Sequence, residues 1–218
     1  MKKSLLLAAA ALLLGTAVNA QDVYKQTGGE RNLEFLFAPL GGSPIGINGI
    51  KYRSFTSATS AWRVAAFAGF NSSTDNSLVG ETELKDVSSE FTISVRPGIE
   101  RHFAGTDRLS PYYGAEALVD FTSSNDKSEF LVGDDVEEGT TTNGSIGFGL
   151  NAIAGVDFYF ADNIYLGAEL GFGFGFTSEF DTKSESTVEG TDTVETPNGS
   201  SLNIGPNVVG AIRLGFLF

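Results

Sequence analysis

The 218-residue sequence contains no cysteine and a single histidine, His102. An exported fold must therefore close without disulfides, and metal sites built from cysteine and histidine clusters are excluded. Basic residues are also scarce, since 14 Lys and Arg stand against 27 Asp and Glu, for a formal net charge of −13. Nucleic acid is an unfavourable partner for so acidic a chain, because phosphate binding requires basic patches.

The sequence also lacks a hydrophobic run of the roughly 20 residues that a membrane-spanning helix requires. One shorter apolar stretch, residues 5–14, follows Lys2 and Lys3 and precedes the small-residue tripeptide Val-Asn-Ala. That order predicts a secretory signal peptide over residues 1–20, cleaved after Ala20. Residues 21–30 are then expected to form a short N-terminal periplasmic segment, and residues 31–218 the folded domain.

Hydrophobicity with a period of two dominates the rest of the chain. In the last segment, Ile212, Leu214, Phe216 and Phe218 share one face, and Arg213 lies on the other. This alternation predicts β-strands. It recurs in eight segments, which are residues 32–37, 47–55, 62–70, 90–103, 112–121, 145–160, 164–176 and 202–218. In the second segment the phase changes near Asn48, which predicts a bulge that turns Ile50 and Tyr52 outward.

The second face of these strands decides between two architectures. It carries rows of glycine and single charges of both signs at mid-strand, namely Lys51, Arg53, Arg63, Arg96, Arg213, Glu34, Glu100, Glu116, Asp120, Asp157 and Glu169. A water-facing strand surface would carry more Lys, Thr and Glu and few glycines, whereas small residues fit a narrow barrel interior. We therefore expect the apolar face to meet lipid; a soluble, lipocalin-like barrel is the alternative. Paired charges should fill the lumen, in a structural network of Glu34, Arg63, Arg96, Glu100, Glu116, Glu169 and Arg213.

Connection lengths alternate as well. The second, fourth and sixth connections are short, whereas three of the other four are long and cover about residues 71–88, 122–143 and 178–201. Their formal charges are −3, −5 and −5. Long loops on one side and short turns on the other are typical of outer-membrane barrels. The sequence thus predicts an all-β, eight-stranded antiparallel up-and-down transmembrane β-barrel with acidic extracellular loops, and a hairpin around the sequence VEGTD in the last of them.

The predicted signal peptide, the eight strands and the terminal segment AIRLGFLF resemble the small outer-membrane β-barrel proteins of Gram-negative bacteria, of the outer-membrane protein A and X type. The resemblance covers residues 31–218 and implies location in the bacterial outer membrane, in contact with its lipid. It also implies that the barrel-assembly machinery reads the last strand, with Leu214, Phe216 and Phe218 as the assembly signal. No active-site motif accompanies the resemblance.

Catalytic chemistry has little support in this sequence. His102 falls beside a short turn, whereas an enzyme acting on outer-leaflet lipid needs its base at the opposite rim. The segment GFGLNAIAG lies within a strand with no following helix, and DDVEEG lacks the spacing of a calcium loop. We predict no catalytic residue, cofactor or metal site. The expected function is that of a non-enzymatic barrel whose acidic extracellular loops or hairpins mediate surface interaction or envelope integrity. A narrow channel or small-solute transporter is the alternative, and a lipid-modifying enzyme is less favoured.

Overall fold

The computed structural model describes residues 24–37, 47–207 and 212–218. Across these ranges the chain forms strands β1 Arg31–Phe37, β2 Ile47–Ser57, β3 Ser60–Val79, β4 Thr82–His102, β5 Leu109–Val132, β6 Asp135–Ala161, β7 Ile164–Glu179, β8 Thr182–Ser186, β9 Val194–Thr196, β10 Ser200–Asn207 and β11 Ile212–Leu217. In the described part of the chain, no helix is long and apolar enough to cross a membrane. The expected signal peptide, the first connection and residues 208–211 of the last predicted strand lie outside the described residues.

The strands close into a ring. Each strand from β1 to β6 pairs antiparallel with the next, and β10 and β11 pair with successive stretches of β7. β11 then pairs with β1, from Phe37 opposite Ile212 to Asn32 opposite Leu217. Arg31 and Phe218 extend this seam through backbone hydrogen bonds of 3.0 and 2.8 Å. With β10 and β11 together as the eighth strand, the fold is the eight-stranded up-and-down barrel predicted from the alternation.

Apolar and polar side chains are divided between the outer and inner faces of the ring as the alternation predicts. Trp62, Phe148 and Phe172 are exposed on the outer face, while Arg63, Asn151 and Glu169 are buried within the ring. The register between β1 and β2 shifts at Asn48, since Leu36 opposes Gly49 and Phe37 opposes Ile47. This bulge exposes Ile50 and buries Lys51, which is the phase expected from the sequence.

The two ends of the barrel differ. Short turns at residues 58–59, 103–108 and 162–163 lie at one end, here named the turn end. At the opposite, hairpin end, the segments 71–88 and 122–143 were expected as loops but are continuations of their strands. Two-residue turns at Gly80 and Gly133 close them, and both glycines adopt positive φ angles, of 67° and 69°. These segments form strands because each pairs along its whole length with the other strand of its hairpin, so that their polar side chains impose no loop.

The third long segment also forms a hairpin, as the sequence around VEGTD predicts. β8 pairs with β9, with Thr182 opposite Thr196, and its other edge pairs with residues 139–142 of β6. The three hairpins therefore belong to the same sheet as the barrel wall.

Candidate functional site

Ionic side chains fill the lumen near the turn end. Arg213 projects inward from β11 and contacts Asp157 at 2.8 Å and Glu34 at 3.2 Å. Arg53 of β2 contacts the same two carboxylates, at 2.8 Å to Asp157 and 2.5 Å to Glu34, and reaches Glu100 at 2.9 Å. All five side chains are at most 1 % exposed. Charges this deeply buried require such pairing, because an uncompensated charge loses its hydration without replacement.

A second layer of ion pairs lies on the hairpin side of the first. Arg63 of β3 contacts Glu169 at 2.7 Å, Glu100 at 2.8 Å and Glu116 at 3.2 Å. Lys51 approaches Glu169 at 3.2 Å. Glu100 therefore joins the two layers, since Arg53 and Arg63 each bond one of its oxygens. The result is one continuous network across the inside of the barrel.

Tyrosines complete this network. The Tyr165 hydroxyl donates to Glu34 at 2.5 Å, and the Tyr112 hydroxyl donates to Glu169 at 2.5 Å. Both rings also face guanidinium groups: Arg53 lies 5.2 Å from the Tyr165 centroid, and Arg213 lies 5.3 Å from the Tyr112 centroid. These contacts combine hydrogen bonding with cation–π attraction among buried side chains.

The inward glycines make room for these large groups. A Cβ on Gly215 would overlap the ring of Tyr165, and one on Gly167 would lie 2.7 Å from an Asp157 oxygen. A row of small residues on one strand thus accommodates large residues from the strands beside it.

The structure places every residue of the expected network inside the ring. Glu34, Arg63, Glu100, Glu169 and Arg213 are joined by the contacts above, and Glu116 joins them through Arg63. Arg96 lies at the margin: its guanidinium is 3.9 Å from Glu116 and 5.0 Å from the centroid of Phe67. The inward charges Lys51, Arg53 and Asp157, which were not included in the expected network, belong to its centre. Their strand phase already marked them as inward.

The roles of Tyr112 and Tyr165 could not be found from the sequence. Strand phase turns both residues inward, but their hydrogen bonds connect segments more than 50 residues apart. Only the ring closure brings those segments together. The terminal residues Leu214, Phe216 and Phe218 lie on the outer face of the last strand, and Phe218 is 69 % exposed.

His102 has partners at the turn end that sequence reasoning missed. Its Nε2 lies 3.2 Å from Glu100 and its Nδ1 lies 2.9 Å from the Ser110 hydroxyl. Because a carboxylate only accepts, Nε2 carries a proton and donates to Glu100. A serine that is hydrogen-bonded to a histidine, which in turn bonds a carboxylate, is the arrangement that activates the nucleophilic serine in many hydrolases. Here Ser110 is 2 % exposed, so its hydroxyl is closed to a substrate in this structure.

The N-terminal segment covers this group. Gln26 Nε2 donates to Ser110 Oγ at 2.7 Å and to the Ala58 carbonyl at 3.2 Å, and its Oε1 accepts from the Tyr159 hydroxyl at 3.0 Å. Tyr24 packs against the buried cluster of Phe55, Ala61, Tyr159, Tyr165 and Leu217. Gln26 and Tyr24 thus cover the ionic network at the turn end. Among the described residues, no group of three or more His, Asp or Glu side chains is arranged to hold a metal ion.

Comparison with known families agrees with this geometry. The model described as "Putative OmpA-OmpF-like porin family" matches residues 53–216, from β2 into β11. The chain belongs to this family. As an OmpA-OmpF-like porin family member it is a β-barrel of the bacterial outer membrane, which confirms the location predicted from the resemblance. A search of curated protein sequences finds no match.

Solved structures similar to this OmpA-OmpF-like barrel include two crystal structures of Acinetobacter baumannii proteins. CarO has a TM-score of 0.40 and 12% identity, over 88% of this chain and 98% of its own. CarO2 has a TM-score of 0.38 and 11% identity, over 87% and 97%. Ail, the attachment invasion locus protein of Yersinia pestis, has a TM-score of 0.31 and 12% identity, over 88% and 100%.

Proposed function

We propose that this barrel is a non-enzymatic surface protein whose acidic hairpins bind a basic partner outside the cell. The observation that supports this is the length of the hairpin strands. β5 has 24 residues and β6 has 27, whereas a membrane-crossing strand needs about 9–11. The excess forms an ordered sheet beyond the lipid, and long connections in such barrels are extracellular.

The charge on this sheet selects the partner. Asp75 lies directly opposite Asp86, and Glu129 lies directly opposite Glu138. Like charges at opposed positions repel, so a basic surface that neutralises them would be attracted. Lys127 lies 2.9 Å from Glu138, and its hydrogen bond lowers the pKa of that carboxyl. Each hairpin segment contains only one lysine, so its acidic residues leave it with a net charge of −3, −5 or −5.

The lumen supports a structural role for the ionic network. Arg53, Arg213 and their carboxylates occupy the cross-section of an eight-stranded barrel, and Gln26 covers the turn end. An interior of this size is just wide enough for side chains. We therefore favour a closed barrel over the channel alternative, and the covered Ser110 argues against the enzyme alternative.

Biogenesis belongs to the same proposal. We infer that the barrel-assembly machinery recognises β11 through Leu214, Phe216 and Phe218. These side chains alternate on the lipid-facing side of the strand that closes the ring against β1. An assembly factor could therefore reach them before closure.

The test uses the barrel in nanodiscs of zwitterionic lipid and a fluorescent oligolysine peptide as the probe. Neutralising Asp134, Asp135, Glu137 and Glu138 to the amides should weaken binding at least tenfold and reduce its salt dependence. The matched control neutralises Asp107 and Asp162 at the turn end, and should bind as the wild type does. Equal binding by all three proteins would contradict the proposal, and steady conductance in planar bilayers would support the channel instead.

A further inference from the structure

A cavity of about 270 Å³ lies inside the wall formed by β5, β6, β7 and β10. It lies on the hairpin side of the ionic network, and no residue of the N-terminal segment lines it. Inward residues around it include Leu118, Asp120, Gly147, Asn151, Gly175 and Asn203. Ligand pockets for drug-sized molecules are about 300–1,000 Å³, so this cavity suits a small solute.

Inward glycines keep this space open. A Cβ added to Gly175 would meet no atom within 4 Å, whereas one on Gly147 would lie 3.4 Å from the Cβ of Asp120. Larger side chains at these positions would enter the cavity and approach Asp120. The volume is therefore a consequence of the sequence at these positions.

Asp120 is the chemically distinct group in this cavity. The carboxylates of the ionic network, Glu34, Glu100, Glu116, Asp157 and Glu169, each lie within ion-pair distance of an arginine. Asp120 has no ion-pair or hydrogen-bond partner among the side chains that the structure describes. None of the described residues that line the cavity is a Lys or Arg. An unpaired carboxylate in a partly enclosed site attracts a cation.

Asn151 supplies a second acceptor. Its side chain is 3 % exposed, and its Nδ2 donates to Glu116 Oε1 at 3.1 Å. Because a carboxylate only accepts, this bond requires the amide nitrogen to face Glu116 and the oxygen to face away. Asn151 Oδ1 lies against Gly173, another lining residue, and has no hydrogen-bond donor within the described ranges. This oxygen is therefore an acceptor that can take a hydrogen bond from a ligand in the cavity.

We propose that this cavity binds a small organic cation that carries an ammonium or guanidinium group. Asp120 is the counter-ion, and Asn151 Oδ1 accepts a hydrogen bond from the ligand. A bare metal ion fits less well, because calcium takes six to eight oxygen ligands and the described residues hold no cluster of metal-binding side chains. This inference is independent of the proposed protein partner.

The experiment measures binding of n-butylammonium to the folded barrel in detergent by saturation-transfer NMR, with butyrate and n-butanol as anionic and neutral probes of similar size. Only the cation should bind. Asp120→Asn should weaken its binding about 10- to 100-fold, the range expected for a lost charged hydrogen bond. Asp120 has no ion-pair or hydrogen-bond partner to lose among the described side chains, so this variant should fold normally, as shown by the heat-modifiable band. Gly175→Leu, which fills the cavity, should also abolish binding.

Asp181→Asn is the matched control, since it removes the same charge from an exposed position beyond β7. This variant should bind the cation as the wild type does. The barrel with four neutralised hairpin carboxylates should also bind it as the wild type does, and this result would separate the cavity from the proposed surface function. Equal affinity of wild type and Asp120→Asn, no binding of the cation, or equal binding of butyrate would each overturn the proposal.

Discussion

Arg213 offers a sharp test of the ionic lumen. Arg213→Met keeps most of the side-chain volume but removes the partner that contacts Asp157 at 2.8 Å and Glu34 at 3.2 Å. Breaking a buried ion pair from one side costs about 3–5 kcal/mol, because the remaining charge is uncompensated. Both carboxylates retain Arg53. We therefore expect the lower end of that range, about 3 kcal/mol.

Glu34→Met should be destabilising for the same reason. The double variant, in contrast, removes one charge of each sign and leaves Arg53 with Asp157 and Glu100, and Lys51 with Glu169. Its cost should therefore be smaller than the sum of the two single costs, by about 1–3 kcal/mol.

The assay is equilibrium urea unfolding in detergent, followed by the heat-modifiable band on gels. Arg101→Met is the control, because Arg101 is exposed and its guanidinium contacts Ser60. It should change the free energy of unfolding by less than about 0.5 kcal/mol. If Arg213→Met matches this control, or if the double variant equals the sum of the singles, the lumen is not the coupled network described here.

Three further predictions concern topology, assembly and the hairpins. A cysteine replacing Asp135 should react with an impermeant maleimide on intact cells and one replacing Asp107 should not, because the hairpin end is assigned to the exterior; the reverse pattern would invert the orientation. Deleting Phe218, or replacing it in Phe218→Ser, should reduce the folded band in membranes far more than it reduces refolding in detergent. Phe218→Tyr should assemble normally. Normal membrane assembly of the deletion variant would show that Phe218 is not part of an assembly signal. Asp86→Asn should relieve repulsion from the opposed Asp75 and stabilise the first hairpin by about 0.2–1 kcal/mol, seen as slower amide exchange at the tip; unchanged or faster exchange would show that the two carboxylates do not repel.

Much of the fold could be predicted because strand phase is a local property. A period of two fixes which side chains share a face, so Arg63 and Glu169 are assigned inward from their neighbours in sequence. The bulge at Asn48 could be predicted in the same way, since a change of phase requires an extra residue. The hairpin strands could not be predicted, because polar segments rich in Ser and Thr are compatible with both loops and strands at a sheet edge. Their pairing depends on the neighbouring strand, which local sequence does not describe.

The sequence by itself determined the class of the protein, since alternation and connection length are read along one strand at a time. It determined which charges enter the lumen but not which ones meet, because partners such as Arg213 and Glu34 are separated by 179 residues. Only the closure of β11 on β1 and the stagger of the strands set those distances. The covering of Ser110 by Gln26, the two tyrosine hydrogen bonds and the placement of Asp120 outside the described ion pairs were likewise decided by tertiary structure. Each depends on where a side chain lies along the barrel axis. Strand phase specifies whether a side chain points into the lumen, but not its position along that axis.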